Sequence, residues 1–281
     1  MTAATTARRR RRRTAWRFAL ATLLILVAGA LVAPWVGSGA PPEGPALVDE
    51  RLLPPSWDHP MGTDASARDL LQRMLLGTRV SLGVAILATT VMLLVGVAWG
   101  GIAGFAPPRL DRWMMRFVDA MMATPRLLIV LALVSVTQRM SVPVLALLLG
   151  ITGWPHLSRV VRARVRELIV TDYVLAARAL GTPTWRILVR HVLPGAAPSV
   201  VAAGVLAVAS IIPLEAALSY YGAGIAPPTP SWGVLLQDVS AHPLDAWWLL
   251  AFPAVAIAAT VLSVNVLGGQ LQRHDSSGQS T

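Results

Sequence analysis

The side chains able to do chemistry lie in a few places. Glu215 follows a long apolar run, and an ionisable residue at membrane depth is a functional candidate because an uncompensated charge there is costly. It could bind an amino group, pair with an arginine of another chain, or serve local structure or gating. His59, Asp64 and Asp69 share a five-residue spacing that would suit a metal or hydrolytic site if the fold converged them. They stand among prolines, without helical or strand periodicity and without a nucleophile–base pair. We read them as a loop held by hydrogen bonds and an Asp64–Arg68 pair, and expect no metal ligand and no catalytic residue. His156, after Trp154-Pro155, reads as a packed interfacial histidine. The six arginines at 8–13 could bind nucleic acid, but beside an apolar run they read as a topology anchor on anionic lipid.

Composition removes whole classes of chemistry. The 281 residues include no cysteine, which excludes disulfides, thiolate catalysis and cysteine-held metals. All 24 basic residues are arginine, so the chain lacks the lysine of a P-loop ATPase and of Schiff-base chemistry. Only 14% of residues are charged, against about 25% in a soluble protein, and 55% are hydrophobic. Mean hydropathy is +0.61. Neither a disordered chain nor an ordinary soluble domain has this balance.

The elements that must position these residues are membrane spans. Charge-free runs of 19 to 29 residues, enough to span a membrane, occur at 18–36, 80–108, 140–158, 192–214 and 246–272. A sixth, 118–138, carries Asp119, Pro125 and Arg126 and is accepted because the topology needs it, with Arg126 facing protein or snorkelling. With both termini inside, 19 arginines lie on the cytoplasmic side and five (Arg51, Arg68, Arg73, Arg79 and Arg139) outside, as the positive-inside rule requires. The first span reads as an uncleaved anchor. Domain limits follow: a cytoplasmic arginine-rich tail at 1–17, a first span at 18–36, an external loop at 37–79 with a short interfacial helix at 69–77, a core of five spans at 80–272, and a cytoplasmic tail at 273–281. Trp232, Trp247 and Trp248 suit an outer aromatic belt, and Trp232 could also gate a pathway.

The largest inner loop, 159–195, is the most informative. Arg159, Arg162 and Arg166 line one helical face and read as a solvated basic surface. Thr171-Asp172 is an N-cap signal, residues 173–180 form a short helix, Gly181 suits its C′ position and Pro183 follows. Ala176, Ala177 and Ala179 would let another surface approach closely. A second helix, 184–193, should stop before Pro194. From spacing alone the short helix suits a docking element and an inert connector equally.

Four motifs then resemble a known family. Leu175-Ala176-Ala177-x3-Gly181-x9-His191-Val192-Leu193-Pro194 resembles the EAA loop of ABC importer permeases, with Leu175 for its glutamate and His191 for its isoleucine. His59-Pro60-Met61-Gly62-Thr63-Asp64-x3-Arg68-Asp69 is similar to a segment of dipeptide/oligopeptide permeases, with Ala67 where that segment has glycine. Leu214-Glu215-Ala216-Ala217-Leu218-Ser219 and Pro227-Pro228-Thr229-Pro230-Ser231-Trp232-Gly233 resemble two further stretches of the same group. The matches occur in family order over residues 59 to about 270, and point to the C-type subunit of the dipeptide/oligopeptide/nickel importers.

The resemblance implies an all-α polytopic membrane protein with the type I ABC importer permease fold: six transmembrane helices and a cytoplasmic coupling helix. It implies a non-catalytic subunit forming half of a peptide pathway, alternating access, and residence in the cell membrane. Implied partners are a homologous permease chain, two ABC ATPases that bind the ATP and magnesium, and an extracytoplasmic binding protein, with membrane lipid and no nucleic acid. No cofactor is expected in this chain. The ATPase-coupling residues would be Tyr173, Leu175, Ala176, Ala177, Arg178, Leu180, Gly181 and Thr182. Translocation or gating would involve Glu215, Ser219 and Trp232. Binding-protein contact would involve His59, Asp64, Arg68, Pro228 and Trp232. Nickel chelates or haem-like cargo are alternatives within the group. A membrane-embedded enzyme is the rival from another class, and it would need converging polar residues that the spans almost lack.

Overall fold

The computed structural model describes residues 2–36, 50–137, 140–226, 228–241 and 246–277, without the side chains of 2–13, 240–241 and 273–277. Described residues are almost wholly helical, with one isolated β-bridge between Thr63 and Asp69. We number the helices α1 (Thr2–Val36), α2 (Leu70–Phe105), α3 (Pro108–Ala123), α4 (Arg126–Ser135), α5 (Val142–Leu168), α6 (Asp172–Ala179), α7 (Thr184–Ile187), α8 (Leu193–Tyr220), α9 (Trp232–Gln237) and α10 (Trp247–Ser277). A π-turn, Leu188–Val192, joins α7 to α8, and a 3-10 turn, Asp238–Ala241, follows α9. Five stretches are long and apolar enough to cross a membrane: Thr14–Val36, Leu70–Phe105, Val142–Leu168, Thr184–Tyr220 and Trp247–Gln272.

Four boundaries differ from expectation. The span expected at 118–138 is not one helix. It is α3 and α4, bent by 80°. Pro125 has no N–H to offer and drives Thr124 to an extended φ of −90° and ψ of 130°. Second, α2 begins at Leu70, so the expected interfacial helix at 69–77 is the first part of the span. Asp69 starts it by accepting the Gln72 N–H at 3.0 Å. Third, the helix expected to stop before Pro194 continues. The wider π-turn, in which the Leu193 N–H bonds the Leu188 carbonyl, absorbs the proline without a break. Fourth, α10 runs to Ser277, into the expected tail at 273–281. Glu43, Asp49, Arg139 and Pro227 lie outside the described residues.

The chain forms two compact units: Met1–Ile86, Val134–Leu145 and Ala209–Leu267; and Leu87–Leu133, Ala146–Val208 and Gly268–Thr281. The first is built around Leu70, Leu145, Ile211, Ile212, Leu218, Trp232 and Leu249, all fully buried. In the second, Leu157, Val161, Val165 and Leu168 give α5 an apolar stripe at helical spacing, covered by Val174 and Ala177 of α6 and by Ile187, Val192 and Ala196. Gly96, Gly100 and Gly104 of α2 lie four residues apart on one face. A β-carbon there would meet Leu157, the Ser158 carbonyl and Val165 of α5. Small residues at this spacing let two helix backbones touch where lipid offers no hydrophobic drive to associate.

Candidate functional site

The loop that carries the EAA-like motif is a built element, packed on one side and closed by its own hydrogen bonds at the end of α6. Thr171 occupies the N-cap of α6 with an extended backbone, although its hydroxyl bonds back to the Leu168 carbonyl at 2.6 Å rather than capping α6. At the other end Gly181 has a φ of +78°, the Thr182 N–H reaches the Ala177 carbonyl at 3.2 Å and the Gly181 N–H the Arg178 carbonyl at 3.0 Å. That pair of bonds is a Schellman motif, and nothing lies within 4 Å of a β-carbon placed on Gly181. Glycine is therefore required by backbone hand and not by crowding.

The helix has two faces. Val174 and Ala177 are buried in the second unit's core, whereas Tyr173, Leu175, Ala176, Arg178, Ala179 and Leu180 are exposed. Ala177, which the expectation grouped with the coupling residues, is 9% exposed and packs into that core, on the side of α6 away from Leu175 and Leu180. Tyr173, Leu175 and Leu180 make this side apolar, with Leu180 86% exposed. Apolar side chains exposed together on α6, which lies outside the five membrane-crossing stretches, mark an interaction surface.

Behind this loop, the arginines read as a solvated face are paired. Asp111 of α3 is almost fully buried. It accepts from Arg162 Nε at 2.5 Å, Arg162 Nη2 at 2.7 Å and Arg166 Nη2 at 2.6 Å. Arg159 pairs with Asp119. Their spacing held a signal: Asp111 and Asp119 are eight residues apart, matching the seven between Arg159 and Arg166. Rings of Trp99, Phe117 and Trp154 add a second clamp on α3, with centroids 5.0–6.3 Å apart. Arg126 faces protein, donating to the Leu149 carbonyl at 2.5 Å. His156 is exposed rather than packed.

In the first unit, the His59–Asp69 segment folds on itself. Asp64 is 1% exposed and accepts from Ser66 N at 2.8 Å, Arg68 N at 3.0 Å and Arg68 Nε at 2.7 Å, and also from Arg73. Arg73, also buried, reaches Asp238 at 2.7 Å, so one ionic cluster ties the loop to the turn after α9. His59 Nδ1 lies 2.9 Å from Asp69 Oδ2, a convergence that linear spacing did not suggest. Gly62, at φ +78°, would drive a β-carbon into the Leu53 carbonyl and the Trp248 ring. Ala67, where the resembled motif has glycine, holds a left-handed φ of 58°. The motif's glycine thus answers a backbone requirement that alanine meets with strain.

Glu215 and Trp232 come together. The Glu215 carboxylate, 1% exposed, accepts hydroxyl bonds from Ser81 at 3.2 Å, Ser219 at 2.9 Å and Ser231 at 2.7 Å. Ser231 caps α9 through the Val234 N–H. Trp232 is fully buried, with its N–H on Ser81 at 3.1 Å and its ring nitrogen on Thr78 at 3.2 Å. Trp232 and Trp248 are therefore core residues, and of the three outer-belt candidates only Trp247 is exposed. Burial also removes Asp64 and Trp232 from direct contact with an external protein in this conformation. His59 and Arg68 are part-buried, whereas Pro228 is exposed and lines an open cavity of about 470 Å³ with Arg79 and Val142. Ser81, Ser231, Thr78, Arg73 and Asp238 were missed because each gains its role from a partner far away in sequence. Among the described residues no group of three or more metal-binding side chains converges.

Known proteins resemble this arrangement. A Brucella suis protein with the provisional name of a peptide transport system permease is 37% identical over 268 residues, spanning 95% of this chain and 89% of its own. The Bacillus subtilis dipeptide transport system permease protein DppC is 38% identical over 228 residues, or 79% of this chain and 70% of its own. A chain of the inward-facing MetNI methionine ABC transporter matches with a TM-score of 0.59 at 18% identity, over 73% of this chain and 97% of that one, and so shares the type I permease fold. Residues 96–274 match the family described as binding-protein-dependent transport system inner membrane component. With six-tenths of its length in that match and this identity to DppC, the chain belongs to the family of binding-protein-dependent transport system inner membrane components, as a multi-pass membrane permease.

Proposed function

We propose that the chain is one of two homologous permease halves of an ABC importer for di- and oligopeptides. Partner ATPases drive it between inward and outward states, and an extracytoplasmic binding protein delivers the cargo. The observation that carries this is the exposed apolar side of α6. The helix is short, stopped at Gly181 and anchored through Val174 and Ala177 to the core around α5. A rigid lever is what a docked ATPase needs in order to move attached spans. Leu175, Ala176, Arg178, Ala179 and Leu180 would meet the ATPase, with Gly181 and Thr182 fixing the end. Orientation follows the arginine bias, with both termini and the 159–195 loop cytoplasmic. The peptide cargo is supported by relatives named for peptide, dipeptide, oligopeptide and di/tripeptide transport.

On the outer side, the Glu215 cluster holds α9 and Trp232 against α8. Gly233 lies flush on Ala216 and Ser219, where a β-carbon would collide. Glu215 thus acts by holding the segment, with both carboxylate oxygens already engaged by hydroxyls. The test is uptake of labelled di- and tripeptides into vesicles holding the assembled complex, with ATP and binding protein present. Uptake that requires all components is expected. Uptake of another cargo in preference to peptides would reject the peptide reading.

A further inference from the structure

Helix α3 has a third face that the proposed transport role does not use and that the fold engages only at its edge, where the half-exposed Phe117 ring meets Trp99 and Trp154. Its inner face is occupied by Asp111 and by the fully buried Val118. Arg109, Arg112 and Arg116 form a stripe at i, i+3 and i+7. One residue along, Leu110, Trp113 and Phe117 form a second stripe at the same spacing. All six are exposed, Trp113 at 70%. Arg116 lies over the Trp113 ring at 5.7 Å, and Arg112 bonds only a backbone carbonyl, that of Pro108, at 3.1 Å. Among the described residues no carboxylate lies within ion-pair distance of these three arginines. This contrasts with Arg159, Arg162 and Arg166 nearby, each of which has an acidic partner. The 80° bend at Thr124-Pro125 turns α3 away from the line of α4.

We propose that α3 is an interfacial helix that binds anionic phospholipid, with Leu110, Trp113 and Phe117 entering the acyl boundary and Arg109, Arg112 and Arg116 on the phosphates. Parallel cationic and apolar stripes are what a helix lying in the headgroup plane requires. Charge complementarity selects the occupant. A zwitterionic surface would leave three guanidinium groups without net counter-charge, and an apolar protein groove would desolvate them unpaired. The inference rests on the proposed sidedness, which places α3 in the cytoplasmic leaflet.

Because the chain contains no cysteine, an Ala120→Cys variant supplies a unique label on the exposed side of α3. A bimane there, in the assembled complex in nanodiscs, is exposed to headgroup-nitroxide phosphatidylglycerol or phosphatidylcholine. Stronger quenching by phosphatidylglycerol is expected, with preference on the order of fivefold for each arginine at the surface. The triple variant R109Q/R112Q/R116Q should erase that preference while the complex still assembles. Equal quenching by both lipids, or a preference unchanged in the triple variant, overturns the proposal. So does loss of ATPase subunits from the triple variant with the lipid preference intact, which would make the stripe a protein contact. Labelling of Ala120→Cys by an impermeant maleimide in intact cells would overturn the sidedness and the proposal together. Labelling only from the cytoplasmic side, without lipid preference, would overturn the proposal alone.

Discussion

Replacing Asp111 by asparagine should destabilise the chain by about 2–3 kcal/mol, and the estimate follows from its partners. The carboxylate accepts three N–H bonds from two arginines at 2.5–2.7 Å and is itself almost fully buried. Hydrogen bonds to a charged group contribute about 1.5–3 kcal/mol each, and removing one partner of a buried pair costs about 3–5 kcal/mol. The Arg162 and Arg166 side chains are 25% and 42% exposed, so water recovers part of their solvation and the lower end applies. Asparagine keeps the shape and one acceptor but turns an N–H₂ toward a guanidinium, so Asp111→Asn should cost nearly as much as Asp111→Ala. Arg166→Gln removes one bond and leaves the bidentate contact, and should cost about 1 kcal/mol or less. The assay is reversible unfolding of the purified chain in mixed micelles on a denaturing-detergent titration. The double variant D111N/R162Q should recover at least ~1 kcal/mol relative to the sum of the singles, because it removes the unpaired charge. A loss below about 0.5 kcal/mol for Asp111→Asn would refute the claim that this pair clamps α3 to α5.

Two further outcomes follow from the packing. Gly100→Leu should cost more than the ~1–3 kcal/mol of ordinary overpacking, because its β-carbon meets the Ser158 carbonyl backbone, and membrane yield and unfolding midpoint would register it. Ser231→Ala removes both the cap of α9 and the shortest bond to Glu215, and should cost about 1–2 kcal/mol while making Trp232 more accessible to an aqueous quencher; unchanged quenching would show that α9 is held by other contacts.

Much of this was legible from residue order. Five apolar runs located five crossings, and Gly181 with Pro183 marked the end of α6 because left-handed backbone and helix termination are local properties. The Asp64–Arg68 pair was legible for the same reason, being one helical turn apart. Arg73 with Asp238, Ser81 with Glu215 and Asp111 with Arg162 were not, because each joins residues 51 to 165 positions apart. The π-turn before Pro194 escaped because a wider turn can absorb a proline that ordinary helical geometry would reject. Which alanine of the 176–177 pair faces outward depends on the rotation of α6, and only packing against Val161 and Val165 decides it.

The exposed and buried sides of α6 give the most direct measurement of the central claim. In the reconstituted importer, Leu180→Glu and Ala176→Arg place charge on the exposed apolar face without touching the core. ATPase co-purification and ATP-driven peptide uptake should both fall at least tenfold, which needs only about 1.4 kcal/mol of lost docking energy, while the amount of folded chain in the membrane stays unchanged. Normal uptake and normal ATPase retention in both variants would contradict the assignment of α6 as the coupling helix.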